Sequence, residues 1–236
     1  MKTLKTLLAM LSLLGVLGVS SALAGTVDGC AAPAGGPTPG NTIFPYDCTG
    51  TAPGTLMADM IVDFSYATTA GTNSGTIESA VYLIGGTLDF YYQVYNDPSS
   101  ATALARLTAT DFANFTTDAG YRTDGSTLTG TSFQDGQDAP VTSDSNVDGS
   151  VIGFSFYPPT TPGPEIGPGD ASNVVIISTD ATTWSVGNAS IIDGGTDTVA
   201  AFQPGTAVPE PASLTLMGLG LLVLARLSNR KRRLTR

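Results

Sequence analysis

Histidine is absent from the 236 residues, and cysteine occurs only twice. Without histidine there is no Ser-His-Asp triad, no Cys-His pair and no imidazole ligand for a metal, which removes the commonest hydrolytic and metalloenzyme constellations. Only carboxylate chemistry remains. Glu78, Asp89 and Glu165 are nominal candidates for a glycosidase pair, a mechanism that requires two carboxyls at a defined separation inside a cleft. Acids on strand surfaces more commonly serve solvation. The sequence is therefore read as non-enzymatic and without an obligatory cofactor.

Basic residues are almost as scarce where they would matter. All 20 acids lie between Asp28 and Glu210, a stretch whose only cations are Arg106 and Arg122, giving it a net charge of −18. Phosphate recognition depends on Lys and Arg displacing counterions, so this stretch would be repelled by nucleic acid and by anionic lipid. The other eight cations sit at the ends: Lys2 and Lys5 first, then Arg226, Arg230, Lys231, Arg232, Arg233 and Arg236.

Those ends read as addresses. Lys2 and Lys5 precede an apolar run from Leu7 to Val19, and the small residues Ala22 and Ala24 follow, in the order of a secretory signal peptide cleaved between Ala24 and Gly25. The run would rise only about 20 Å as a helix, against roughly 30 Å of bilayer hydrocarbon. Export through the translocon and removal by signal peptidase are expected, with residues 1–24 as the signal helix.

At the other end, Pro209, Glu210 and Pro211 begin a segment that cannot start as regular helix or sheet interior and so stays extended and accessible. A hydrophobic helix over 212–228 follows, and then a basic tail, 229–236. Arg226, Arg230, Lys231, Arg232 and Arg233 would stop transfer and hold the terminus on the cytoplasmic side.

This order of features resembles the PEP-CTERM family of Gram-negative bacteria. The resemblance implies that Pro209, Glu210 and Pro211 are read by an exosortase-like membrane enzyme. It also implies an inner-membrane-anchored precursor that becomes a cell-surface or extracellular-matrix protein, often alongside exopolysaccharide. In such a scheme the hydrophobic tail is a transient handle, as in other anchors whose tail is removed after export.

Cys30 and Cys48 both follow the expected signal cleavage site, so in an oxidising periplasm they can pair. The bridge would staple a Pro/Gly-rich segment, residues 25–55, that has no apolar periodicity of its own. Chain-entropy models assign such a closure about 3 kcal/mol.

From residue 56 to 203 short segments rich in Val, Ile, Thr, Phe and Tyr alternate with turn signals, predicting an all-β antiparallel sandwich, jelly-roll-like or Ig-like. A linker over 204–211 carries the Pro-Glu-Pro motif. Leu88, Phe90, Tyr92 and Val94 form one apolar face of a strand, as do Ile152, Phe154 and Phe156 of another. Val174 to Ile177 is apolar on both faces and belongs in a sheet centre. Residues 101–115 are ambiguous, with strand favoured over helix. Later strands are expected around Trp184, Ile191 and Val199, broken at Gly187-Asn188 and at Asp193 to Gly195.

Two surface chemistries complete the reading. Asp144, Asn146 and Asp148 with Gly149 match the opening of a calcium loop, but Ser155 stands where the bidentate Glu belongs. A polar hairpin turn is the favoured reading there, and a weak calcium site the alternative. Tyr91 and Tyr95, on the polar side of their strand, would suit stacking on sugar rings in a carbohydrate-binding module; packing against a neighbouring loop is the commoner fate of such tyrosines.

Overall fold

A computed structural model describes residues 36–157 and 165–205. The signal segment, Cys30, the proline-rich loop over 158–164, the Pro-Glu-Pro motif, the hydrophobic tail and the basic terminus lie outside the described residues. Twelve strands follow in chain order: β1 (Thr42–Ile43), β2 (Tyr46–Asp47), β3 (Thr55–Ala67), β4 (Thr72–Ile84), β5 (Thr87–Asn96), β6 (Arg106–Thr110), β7 (Thr117–Arg122), β8 (Thr142–Ser145), β9 (Val151–Ser155), β10 (Val174–Thr179), β11 (Trp184–Ile192) and β12 (Thr196–Pro204).

They form two six-stranded sheets. The first runs β1-β8-β9-β6-β11-β12 and the second β2-β7-β10-β5-β4-β3. Every ladder is antiparallel except β2 with β7. This is the expected all-β sandwich, and residues 101–115 contribute a strand, β6, as favoured.

The alternation in the sequence explains the packing. Leu88, Phe90, Tyr92 and Val94 of β5 meet Ile152 and Phe154 of β9 and Ala189 and Ile191 of β11 in one continuous core between the sheets. β-branched and aromatic side chains at every second position can do this because a strand turns successive residues to opposite faces. Phe112 closes part of that core edge-on against Phe90, with ring centroids 5.7 Å apart.

β10 is central, flanked by β5 and β7, and all of it is buried. Val175 and Ile177 enter the main core, while Val174 and Ile176 face outward into a second apolar cluster with Ala80, Tyr82, Tyr91, Leu128 and Phe133. Leu128 and Phe133 belong to the connection between β7 and β8, which folds back over the outer face of the second sheet. Gln93 fastens it by accepting from the Gln134 N–H at 2.8 Å and donating to the Gln134 carbonyl at 2.9 Å.

This cover corrects one expectation. Tyr91 is buried at 2% exposure and Tyr95 is half-buried, so the pair offers no open stacking platform. Packing against a loop, the commoner fate, is what the β7–β8 connection imposes on Tyr91. A second correction concerns Gly187-Asn188, which does not break a strand: β11 runs through it, paired without interruption to β12. The glycine makes room for the Gln203 side chain, into which a Cβ at 187 would project.

Two devices tie the sheets together along their margins. Residues 36–51 cross from one sheet to the other, lending β1 to the edge beside β8 and β2 to the edge beside β7. On the opposite margin, β12 leans onto the second sheet. There the Tyr92 hydroxyl donates to the Phe202 carbonyl at 2.6 Å and the Phe202 N–H donates to Ser79 Oγ at 3.3 Å. Replacing a buried donor leaves its acceptor short of a partner at a cost of about 1–3 kcal/mol. Tyr92→Phe should therefore lower the unfolding free energy by that amount, read as a lower urea midpoint with an unchanged slope, whereas an unchanged midpoint would show that this bond does not hold β12 in place.

Candidate functional site

The outer face of the first sheet carries a groove of about 580 Å³ lined by Arg106, Thr142, Ser155, Tyr157 and Asp193 among others. Register explains the grouping. Thr142 stands opposite Ser155, Ser155 opposite Arg106, and Arg106 opposite Ile192, so residues from four strands share one row on one face.

Arg106 reaches diagonally over Gly153 to Asp144, donating from both terminal nitrogens at 2.6 and 2.7 Å, and to Ser155 Oγ at 2.8 Å. The two side chains are 28% and 29% exposed, so water screens the pair and its contribution is mainly geometric. A Cβ at residue 153 would strike the guanidinium, which requires glycine in mid-strand. That glycine, set between Ile152 and Phe154, is the sequence signal for a close approach at this point. At the mouth, Tyr157 is 51% exposed. The groove thus offers a neutralised ion pair at its wall, hydroxyls, the Asp193 carboxyl and one aromatic face.

The proposed calcium-loop residues lie beside this groove and are occupied locally. Asp144 is bound to Arg106, Asn146 Oδ1 accepts from the Val151 N–H at 3.0 Å, and Asp148 Oδ1 accepts from the Ser150 N–H at 2.9 Å. They form the turn between β8 and β9, where Asx-type bonds close the loop. Cys48 directly follows β2, is 2% exposed, and sits in the cluster with Tyr82 and Tyr91; its expected partner Cys30 lies outside the described residues.

The nominal catalytic acids are not brought together in a groove. Glu165 is half-buried near Asp193. Glu78 and Asp89 face outward from the second sheet, Glu78 beneath the β7–β8 connection, and both are buried. Burial pushes the Glu78 carboxyl up to about 7, against the pull of the Ser132 N–H, which donates to Oε1 at 2.6 Å; the hydrogen-bonded Asp59 carboxyl raises it further. Asp89 is pushed up to about 7, chiefly by burial, and Asp138 to about 6 by burial and then by Asp170. Sequence reasoning placed Glu78 and Asp89 on a polar surface because it could not see what covers them.

These raised values fix the sign of a pH effect. The folded protein retains protons on Glu78, Asp89 and Asp138 that the unfolded chain releases from about pH 4 upward, so stability falls as pH rises towards about 7 and levels off above it. Asp124, held low by Arg122, acts oppositely and only at lower pH. Urea midpoints in metal-free buffer should be higher at pH 5 than at pH 8, and Asp89→Asn should flatten the slope. A midpoint that climbs over this interval would contradict the assignment.

Among the described residues no group of three or more His, Cys, Asp or Glu is arranged to hold a metal, and no helix is long and apolar enough to cross a membrane. No curated protein and no solved structure matches the chain. A family model, the PEP-CTERM protein-sorting motif, matches residues 207–233, which include Pro209, Glu210 and Pro211 and the basic residues from Arg226 to Arg233. Charge, Pro-Glu-Pro, apolar run and basic end thus converge with the family match on one delivery route. The C-terminal stretch of the chain carries a PEP-CTERM protein-sorting motif, which supports an exported, membrane-processed surface protein sorted through exosortase.

Proposed function

We propose that the protein is a structural or adhesive component of the cell surface or extracellular matrix, associated with exopolysaccharide, and that it acts without catalysis. The observation that carries this is the position of the sorting motif: β12 ends at Pro204 and the match begins at 207, so the sandwich is the cargo of the tail. A sandwich with a strongly acidic chain and a disulfide-permissive destination suits a secreted structural module. In this scheme the translocon and signal peptidase handle residues 1–24, with Ala22 and Ala24 before the cut at Gly25. Cys30 pairs with Cys48, and residues 212–228 anchor the precursor in the inner membrane until exosortase acts.

Intact mass and fractionation test the route. Cells with exosortase should yield a shortened surface form, and cells without it, or with Pro209→Ala or Glu210→Ala, a longer membrane-associated one. The Cys30–Cys48 bridge should appear as a gain of about two mass units on reduction. Unchanged mass and location in every strain would leave a permanent tail anchor instead.

A second reading, carbohydrate binding, is supported by the groove of Arg106, Asp144 and Tyr157 in place of Tyr91 and Tyr95. Stacking on an exposed aromatic is worth roughly 1 kcal/mol or more, several-fold in affinity. Tyr157→Ala should shorten retention on a column of the host's exopolysaccharide, while Tyr95→Ala should leave it unaltered. Equal retention of the wild type and Tyr157→Ala would exclude the groove as the contact.

A further inference from the structure

The Gln203 side chain crosses a neighbouring strand of the first sheet. It springs from β12 opposite Ser185 of β11 and lies over Gly187, where a Cβ would coincide with the amide group. The glycine lets the amide reach past β11 to Thr110, the last residue of β6. β6 and β12 share no ladder, because β11 lies between them. Thr110 Oγ is 3.5 Å from Gln203 Oε1, and a carbonyl bond of about 1.2 Å puts it within about 5 Å of Cδ.

The surroundings suit a reaction between the two side chains. The Thr110 hydroxyl has one proton and three acceptors in reach: the Asn188 carbonyl at 3.2 Å, Asp111 Oδ2 at 3.4 Å and Gln203 Oε1. Donation to Asp111 leaves the lone pairs of Oγ free for Cδ. Asp111 takes up a left-handed backbone, φ 66°, which residues other than glycine seldom adopt. A cleft of about 320 Å³, lined by Asp111, Asn114, Phe115, Ser185 and Gln203 among others, adjoins the amide.

We propose that Thr110 and Gln203 join in an ester cross-link that the folded protein forms by itself. A small turn of the Gln203 amide brings Cδ to the near-attack distance of about 3–3.5 Å from Oγ. The Thr110 hydroxyl gives its proton to Asp111 and Oγ attacks Cδ. The C–N bond of the amide then breaks, the proton passes to the departing nitrogen, and one ammonia leaves through the cleft. A hydroxyl and a primary amide thus become an ester and ammonia, with no change of oxidation state and no co-reactant. β12 is the edge strand of its sheet and the last before the sorting motif, so a pull through the tail acts on it first. A covalent bond from β12 over β11 to β6 holds all three strands against peeling.

The test uses the full-length exported protein. Between Asp28 and Glu210 trypsin can cut only after Arg106 and Arg122, so Thr110 and Gln203 fall in different fragments, 107–122 and the one that begins at 123. In the wild type these should travel as one species about 17 mass units lighter than their sum, and hydroxylamine, which cleaves esters, should release the 107–122 peptide. Thr110→Val and Gln203→Glu should yield that peptide free, and Thr110→Ser should keep it linked. Asp111→Asn should slow formation of the link after synthesis about a hundredfold. A free 107–122 peptide from the folded wild type, or a linked one from Thr110→Val, overturns the cross-link. The wild-type digest decides the question if a variant fails to fold.

Discussion

Burial of the centre of the second sheet on both faces is the constraint from which the other features follow. β10 has no exposed residue. Its inner side chains, Val175 and Ile177, belong to the layer between the sheets, and its outer ones, Val174 and Ile176, require a cover of their own. The β7–β8 connection supplies that cover through Leu128 and Phe133, and Gln93 fixes it by a reciprocal pair of backbone contacts. That lid takes Glu78 and Gln93 out of water, while Thr76 and Thr87 on the same face stay half-buried. Glu78, Asp89 and Gln93 become interior groups although their neighbours in sequence mark them as surface.

The two faces of the molecule therefore differ in kind. On the first sheet the polar outer face stays open, and its one cation is neutralised in place by Asp144 across Gly153. The result is an open groove lined in part by Tyr157. On the second sheet the polar outer face is closed, and Glu78 answers its burial by sharing a hydrogen bond with Asp59. Asp89, opposite Ser178, answers its burial by holding its proton, its carboxyl being pushed up to about 7.

Delivery and cargo are separable in the same way. A sorting tail works as an extended, readable peptide followed by an apolar run and cations, and none of this depends on how the sandwich folds. Its information is local, which is why a family model recognises it in the 207–233 stretch while the chain before it matches no solved structure. An acidic sandwich delivered to a surface needs to be stable and soluble there, and the scarcity of cations serves solubility at the expense of counter-ions for buried acids.

Alternation, turn chemistry and terminal order, all properties of neighbouring residues, determined the all-β class, the central place of Val174 to Ile177, the core face of Leu88 to Val94 and the family of the tail. Gly153 marks a close approach in mid-strand, a signal that the alternation of Ile152, Phe154 and Phe156 did not bring out. Tertiary structure alone decided the fate of Tyr91, the continuity of β11 through Gly187, the diagonal pairing of Arg106 with Asp144, and the burial of Asp89 beside Ser178 and Asp118. Most of these join segments tens of residues apart, and a strand's pattern specifies which side chains share a face but not what the rest of the chain lays over that face.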